Sequence, residues 1–177
     1  MTGAIDIRES VSGNVPAIEK IYSAAFPEED LLPLVVDLLA LSKTPTVLSL
    51  AAFEGREVVG HIVFTACRVT GADVDVALLG PLCVAPSRQR QGIGGALIGA
   101  GLERLKKQGV SRVFVLGDPA YYGRFGFTSD DYVAPPYELP KEWHGAWQSL
   151  CLYEDTSRLT GTLAVPEPWR QQTLWTP

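Results

Sequence analysis

The chain predicts a mixed α/β sheet, and three observations carry that expectation. Runs rich in β-branched residues at 47–53, 58–69 and 74–84 follow one another with only short turns between them, the pattern of an antiparallel meander. The third run leads into a glycine-marked helix over 92–108 and a further apolar strand at 113–116, a strand–helix–strand unit that makes a parallel, right-handed crossover. Two amphipathic helices, at 15–25 and 31–42, supply apolar faces of the kind that cover a sheet.

Taken in order, Ile5 and Ile7 alternate with polar neighbours in a short first strand that ends before residues 10–14. Asn14 is placed to cap the next helix, Pro16 sits in its first turn, and Val15, Ile18, Ile21 and Tyr22 recur at helical spacing. Residues 26–30 break that helix. The second carries Leu31, Leu32, Val35, Val36 and Leu39 on one side, with Glu28 and Glu29 just ahead of its electropositive start. Glu54-Gly55-Arg56 and Gly71-Ala72-Asp73 turn the meander, and His61 in its middle strand reads as a packed, hydrogen-bonded residue. Pro81 has no N–H to donate, so the third strand loses pairing there and the sheet opens locally.

The long helix has Ile98, Gly101, Leu102 and Leu105 on one stripe with Ile93 and Leu97 beside it, and Gly109 ends it. Beyond the strand at 113–116, residues 120–125 form a helical turn or two and 134–140 a proline-rich loop. A strand follows at 147–153, and a weaker one at 159–165. Trp143, Trp147, Trp169 and Trp175 have no basic residues interleaved with them and read as packing groups.

At 177 residues the chain suits one domain, 1–177, with about 165–177 as a peripheral tail. A formal net charge of -5 argues against general nucleic-acid binding. Cys67, Cys83 and Cys151 share no metal-ligand spacing and read as reduced core residues, so no metal is expected. No apolar stretch approaches the ~18 residues of a spanning helix and no basic leader precedes one, which predicts a cytoplasmic protein without a membrane partner.

The join between the third meander strand and its helix has the composition of an anion site. Polar residues 87–91 lead into Gly92, Gly94 and Gly95, where the first helical turn leaves backbone N–H groups without intrahelical acceptors. Glycine side chains keep nothing away from those amides, and Arg88 and Arg90 bring charge. A P-loop is excluded because Ala96-Leu97, not Lys followed by Ser or Thr, succeeds Gly95. A dinucleotide fingerprint is excluded because Leu97 stands where its third glycine belongs.

Val84, Pro86, Gln89, Gly92 and Gly94 instead fit V-x-P-x-x-Q/R-x-x-G-x-G/A, which resembles the acetyl-CoA signature of the GNAT superfamily of N-acetyltransferases. Downstream, Tyr122 to Phe127 resembles that superfamily's Y-x-x-x-G-F segment. The resemblance implies the GNAT fold, in which the fourth strand splays from the fifth and the pantetheine arm enters the gap. Leu82, Cys83 and Val84 would line the thioester through their main chains. Gln89, Arg90, Gln91, Gly92, Ile93, Gly94 and Gly95 would hold the rest of the cofactor, and Tyr122 would be the general acid for the departing thiolate. In this fold the loop between the first two helices borders the acceptor, which makes Glu28 and Glu29 candidate substrate contacts as well as candidate capping charges. Many members carry a glutamate base on the fourth strand, where this chain has only Asp75, near the far end.

The implied activity is transfer of an acetyl or short acyl group from acetyl-CoA to a primary amine, on a small molecule or a peptide, by direct attack in a ternary complex. A homodimer is one assembly compatible with it. A non-catalytic acyl-CoA-binding or regulatory module is the alternative, and a nucleotide-binding module a second.

Overall fold

A computed structural model describes residues 3–41, 46–154 and 158–176. Its elements are β1 (Ile5–Glu9), α1 (Val15–Ala25), α2 (Leu32–Ala40), β2 (Val47–Glu54), β3 (Glu57–Val69), β4 (Val76–Val84) and α3 (Ile93–Lys107). They continue with β5 (Arg112–Leu116), α4 (Pro119–Tyr122), β6 (Thr128–Ser129), β7 (Val133–Ala134), β8 (Trp147–Cys151) and β9 (Gly161–Ala164). Two compact units result, one of Met1–Phe64 with Gly80–Arg104 and the other of Thr65–Leu79 with Leu105–Pro177, so β3 and β4 each contribute to both.

In the first unit β1 pairs antiparallel with β2, from Ile5 opposite Glu54 to Glu9 opposite Leu50. The two-residue connection at Gly55 and Arg56 turns β2 into β3 as a hairpin, with Gly55 at φ +63°. The apolar stripe of α1 does what its spacing predicts, and Ile18, Ile21 and Tyr22 are buried, with Val35 of α2, against Ala51, Phe53, Val58 and Cys83. The stripe expected of α2 is corrected: the helix buries Leu34, Val35 and Leu38 and leaves Val36 exposed, because nearly all of its residues are apolar and their spacing singles out no face. Helix α3 lies so close to β3 that a Cβ on Gly101 would stand 2.0 Å from the Phe64 ring.

Asn14 is a correction to the expected cap. Its Oδ1 accepts the Val11 N–H at 2.8 Å, closing the 3₁₀ turn before α1, and makes no capping bond to the helix. The second helix starts at Leu32 with Pro33 in its first turn and no acid there, so Glu28 and Glu29 do not cap it through hydrogen bonds. Ser42, the expected last residue of that helix, lies outside the described residues.

His61 is fully buried and hydrogen-bonded as read. Its Nδ1 lies 2.9 Å from the Tyr22 hydroxyl, its Nε2 lies 2.7 Å from Ser49 Oγ, and Ser49 Oγ meets Ser10 Oγ at 2.5 Å. Burial holds the imidazole's pKa down to about 3, so the ring is neutral and the network joins α1, β2 and β3 without a charge.

In the second unit β4 pairs parallel with β5 from Val76 opposite Arg112 to Leu78 opposite Phe114, and that ladder ends two residues before Gly80. The other edge of β5 pairs antiparallel with all of β8, and β6 adds to β8. Strand β9 joins β3 antiparallel at Arg68 and Val69 and pairs parallel with β7. Parallel and antiparallel ladders thus make the mixed sheet that the strand–helix–strand pattern predicts. Strands β6 and β7, two residues each, are too short to show any period in the sequence.

The expected peripheral tail is a second correction. Val165, Trp169 and Trp175 are buried. Trp175 packs edge-on to Trp147, whose ring stacks on Phe114 at 5.5 Å. Each of these three indole N–H groups finds an acceptor: Trp147 donates to the Val133 carbonyl, Trp169 to Thr65 Oγ1 and Trp175 to the Trp169 carbonyl. Indoles this large fold the end of the chain into the core because leaving them in water forfeits their apolar area.

Candidate active site

The glycine-marked loop of the first unit is built mainly from backbone. The Gly92 carbonyl accepts the Ala96 N–H at 3.0 Å, which makes it the first acceptor of α3 and leaves the amides of Ile93, Gly94 and Gly95 without acceptors inside the helix. Gly92 is left-handed, φ +83°, with open space where a Cβ would stand. Arg90 is also left-handed, φ +64°, a conformation costing a non-glycine residue on the order of 1–2 kcal/mol. Its side chain is exposed, as is that of Gln91. Ile93 turns its side chain into the core, where its Cγ2 would stand 3.0 Å from a Cβ on Gly60, so the loop-facing part of this residue is its amide.

Two side chains hold the loop in place. Gln89 Nε2 donates to the Val84 carbonyl at 3.1 Å, tying loop to strand end. Arg88 departs from expectation: its guanidinium is taken up by Glu54, with Nε to Oε2 at 2.7 Å and a second bond to Oε1 at 3.4 Å. That hydrogen bond pulls the Glu54 carboxyl below its ordinary range. Arg88 therefore braces the loop, and Arg90 is left as its unpaired cation among the described residues. Glu54, read from sequence only as a turn residue, was missed because its partner is 34 positions away.

Along β4, Leu82 and Val84 are half-buried and Cys83 is buried with its Sγ toward the Ile21 carbonyl at 3.4 Å. Burial raises that thiol to about 12, which removes it as a nucleophile and leaves its main chain. Glu28 and Glu29 lie exposed in the turn between α1 and α2.

Tyr122 belongs to the second unit, at the end of α4. Asp118 caps that turn by accepting the Ala120 N–H at 2.9 Å, and Pro119 starts it, which aims the two tyrosines that follow. The Tyr122 ring rests on Gly117, whose added Cβ would stand 2.4 Å from Cε2, and it meets the rings of Tyr121 and Phe127 edge-on at 5.0 and 5.8 Å. Burial, reinforced by Tyr121, pushes its phenol well above the usual range, so the hydroxyl keeps its proton at neutral pH. Gly117 is held on both sides: its N–H donates to the Ala146 carbonyl and its carbonyl accepts Gln148 Nε2, each at 3.0 Å.

Asp75 lies just before β4, exposed, 3.7 Å from the Arg68 guanidinium. Among the described residues no group of three or more His, Cys, Asp or Glu is placed to hold a metal ion, and no helix is long and apolar enough to cross a membrane.

Residues 15–127 match the acetyltransferase (GNAT) family. The Escherichia coli (strain K12) protein named Uncharacterized N-acetyltransferase YjhQ is 37% identical over 158 residues, covering 85% of this chain and 86% of its own. Uncharacterized N-acetyltransferase YhbS from the same strain is 31% identical over 139 residues, 78% and 80% of the two chains. A crystal structure of the GNAT family N-acetyltransferase YhbS from Escherichia coli in complex with CoA superposes with a TM-score of 0.85 at 27% identity, covering 94% of this chain and 92% of that one. A GNAT family acetyltransferase from Brucella melitensis in complex with acetyl-CoA superposes at 0.75 with 30% identity, covering 94% and 98%.

Proposed function

The chain belongs to the acetyltransferase (GNAT) family, and we propose that it moves an acetyl or short acyl group from coenzyme A to a primary amine by direct attack within a ternary complex. The observation that carries this reading is the start of α3: three consecutive amides without intrahelical acceptors, preceded by a left-handed glycine and flanked by the exposed Arg90. A diphosphate matches such an end, because the amides donate to its oxygens and the helix dipole favours its charge. The relatives crystallised with CoA and acetyl-CoA support the same donor.

On this reading the amides of Ile93, Gly94 and Gly95 bind the diphosphate, with Gln89, Arg90, Gln91 and Gly92 shaping and charging the loop. Leu82, Cys83 and Val84 run along the acyl arm through their main chains. As the amine nitrogen bonds to the carbonyl carbon and the carbon–sulfur bond breaks, Tyr122 hydrogen-bonds and protonates the departing sulfur, and the proton the amine sheds restores the phenol through solvent. Burial guarantees that the hydroxyl still has a proton to give, while transfer to a thiolate of ordinary thiol pKa, about 8.5, runs uphill and is drawn forward by collapse of the intermediate. Glu28 and Glu29 are exposed and free of capping duty, which keeps them available to an acceptor. The whole chain acts as one catalytic domain, threaded by β3 and β4 through both units. Cys67 and Cys83 are buried as expected, whereas Cys151, at the end of β8, is exposed and not a core residue; three free thiols suit a reducing cytoplasm.

Acetyl-CoA should raise the melting temperature, because a ligand that binds only the folded state stabilises it by mass action. Thiol release with a panel of amines then separates transfer from mere binding. No shift at millimolar acetyl-CoA would remove the phosphate-loop reading. A shift with no thiol release from any amine would favour a non-catalytic acyl-CoA-binding module, and a larger shift with ATP or NAD would favour a nucleotide-binding one.

A further inference from the structure

Strand β5 ends at Leu116, and the chain leaves the sheet at Gly117. A carbonyl just past a strand end has lost its ladder partner and needs another. Here the partner is a side chain from the neighbouring strand. Gln148, opposite Val115 of β5 on one side and Ser129 of β6 on the other, is 1% exposed. Its Nε2 donates to the Gly117 carbonyl at 3.0 Å and to the Ala146 carbonyl at 3.3 Å. Both partners only accept, so both hydrogens of that nitrogen are committed and the amide has one orientation. The Ala146 carbonyl also takes the Gly117 N–H at 3.0 Å. Gly117 is thereby pinned, through its N–H and its C=O, to one short piece of chain, residues 146–148.

The seat of Tyr122 is built on that pin. Asp118 and Pro119 start α4 directly after it, and the Tyr122 N–H returns to the Asp118 carbonyl at 3.0 Å. The ring then lies back over Gly117: a Cβ there would stand 2.4 Å from Cε2, 2.9 Å from Cδ2 and 3.4 Å from Cζ, the carbon that bears the hydroxyl. Gly117 is not among the left-handed glycines, so its backbone would accept alanine and only the ring requires the bare α-carbon. The ring has little room to give, since those of Tyr121 and Phe127 meet it edge-on at 5.0 and 5.8 Å.

A proton donor works only where its oxygen is, and a displacement of about 1 Å can cost about 10²-fold in rate. We infer that Gln148 and Gly117 are positioning residues for the Tyr122 hydroxyl, the first fixing where the chain leaves β5 and the second how closely the ring lies against it. The catalytic part of this inference rests on the reading of Tyr122 as the acid; the placement of the ring does not.

The full chain labelled with 3-fluorotyrosine reports the ring itself, and Tyr122→Phe identifies which of the six tyrosine resonances in the fluorine NMR spectrum belongs to it. Gln148→Met keeps length and bulk and deletes both donors. Gly117→Ala adds one methyl and leaves every hydrogen bond in place. Circular dichroism checks the fold of each, and the glycine variant decides alone where loss of the buried amide unfolds the chain. In both, the Tyr122 resonance should shift while that of Tyr22, identified through Tyr22→Phe, stays. With an amine from the panel that releases thiol, kcat should fall about tenfold or more, with KM and acetyl-CoA affinity within about twofold. Added to Tyr122→Phe, either substitution should cost less than about twofold more, because a misplaced hydroxyl and an absent one are the same defect.

An unmoved Tyr122 resonance in the folded variants overturns the inference, with or without a known acceptor. So does a normal kcat in both variants when Tyr122→Phe is impaired, or a full further loss when the substitutions are combined. Full activity in Tyr122→Phe brings down the acid itself, and the positioning role with it, whatever the spectrum shows.

Discussion

Tyr22 in the first unit and Tyr122 in the second are both tyrosines whose phenols burial pushes above the usual range, yet their hydroxyls are used differently. The Tyr22 hydroxyl is bonded to His61 Nδ1 at 2.9 Å, inside a chain that continues to Ser49 and Ser10. The Tyr122 ring is seated as firmly, on Gly117 and between Tyr121 and Phe127, but its hydroxyl has no hydrogen-bond partner among the described residues. Burial keeps the proton on both oxygens; partnership decides whether it is spoken for. A shifted pKa by itself would not tell these two apart, and the hydrogen-bond inventory does.

Paired substitutions test that distinction most strongly. Tyr122→Phe should lower turnover by roughly 10²-fold or more with coenzyme A binding and melting temperature nearly intact. Tyr22→Phe should do the reverse, leaving turnover of the folded enzyme close to normal. It should cost about 1–3 kcal/mol of stability, because His61 Nδ1 loses its buried partner. Full activity in Tyr122→Phe would break the comparison, and Tyr121→Phe is the mild control.

Gly94→Val probes the backbone-built region without touching either tyrosine. A branched side chain at the start of α3 should weaken acetyl-CoA binding by roughly tenfold or more, with Gly94→Ala in between. Unchanged affinity in a folded variant would take this glycine out of the site.

Acid titration sharpens the Tyr22 side. The folded imidazole of His61 is lowered to about 3, below its unfolded value of about 6.5, so between those values the unfolded chain binds more protons. Stability from this group is complete above pH ~6.5 and is lost as pH falls, by about 1.4 kcal/mol per pH unit down to about pH 3. Chemical denaturation of wild type and His61→Gln across that range should differ by this slope; identical acid limbs would mean that the ring titrates freely.

The smallest effect expected is at the loop cations. Arg90→Ala should weaken acetyl-CoA binding a few-fold and lower its salt dependence, since exposed charges are screened. Arg88→Ala should act mainly by releasing Glu54 and loosening the loop. A larger salt-dependent loss at Arg88 than at Arg90 would reverse their roles.

The sequence was informative wherever a feature is local. The meander strands, the stripe of α1 and the glycine-marked helix start all depend on spacings within about ten residues, and the structure has them within a residue or two. What escaped depends on partners distant in the chain. The Glu54–Arg88 pair, the Gln148 bond to Gly117 and the fold-back of Trp175 each join segments that no periodicity connects. Asn14 failed for a related reason: a good capping residue had a competing donor, the Val11 amide, three positions earlier.

Ile93 turns its side chain into the core and leaves its amide at the open end of α3. Alanine scanning would be nearly blind to such a residue, since truncating it disturbs packing and returns the same N–H to the same place. Chemistry written in the main chain calls for main-chain editing. An amide-to-ester exchange at residue 93, 94 or 95, introduced by semisynthesis, deletes one donor and spares every side chain, and it would read each amide's contribution separately.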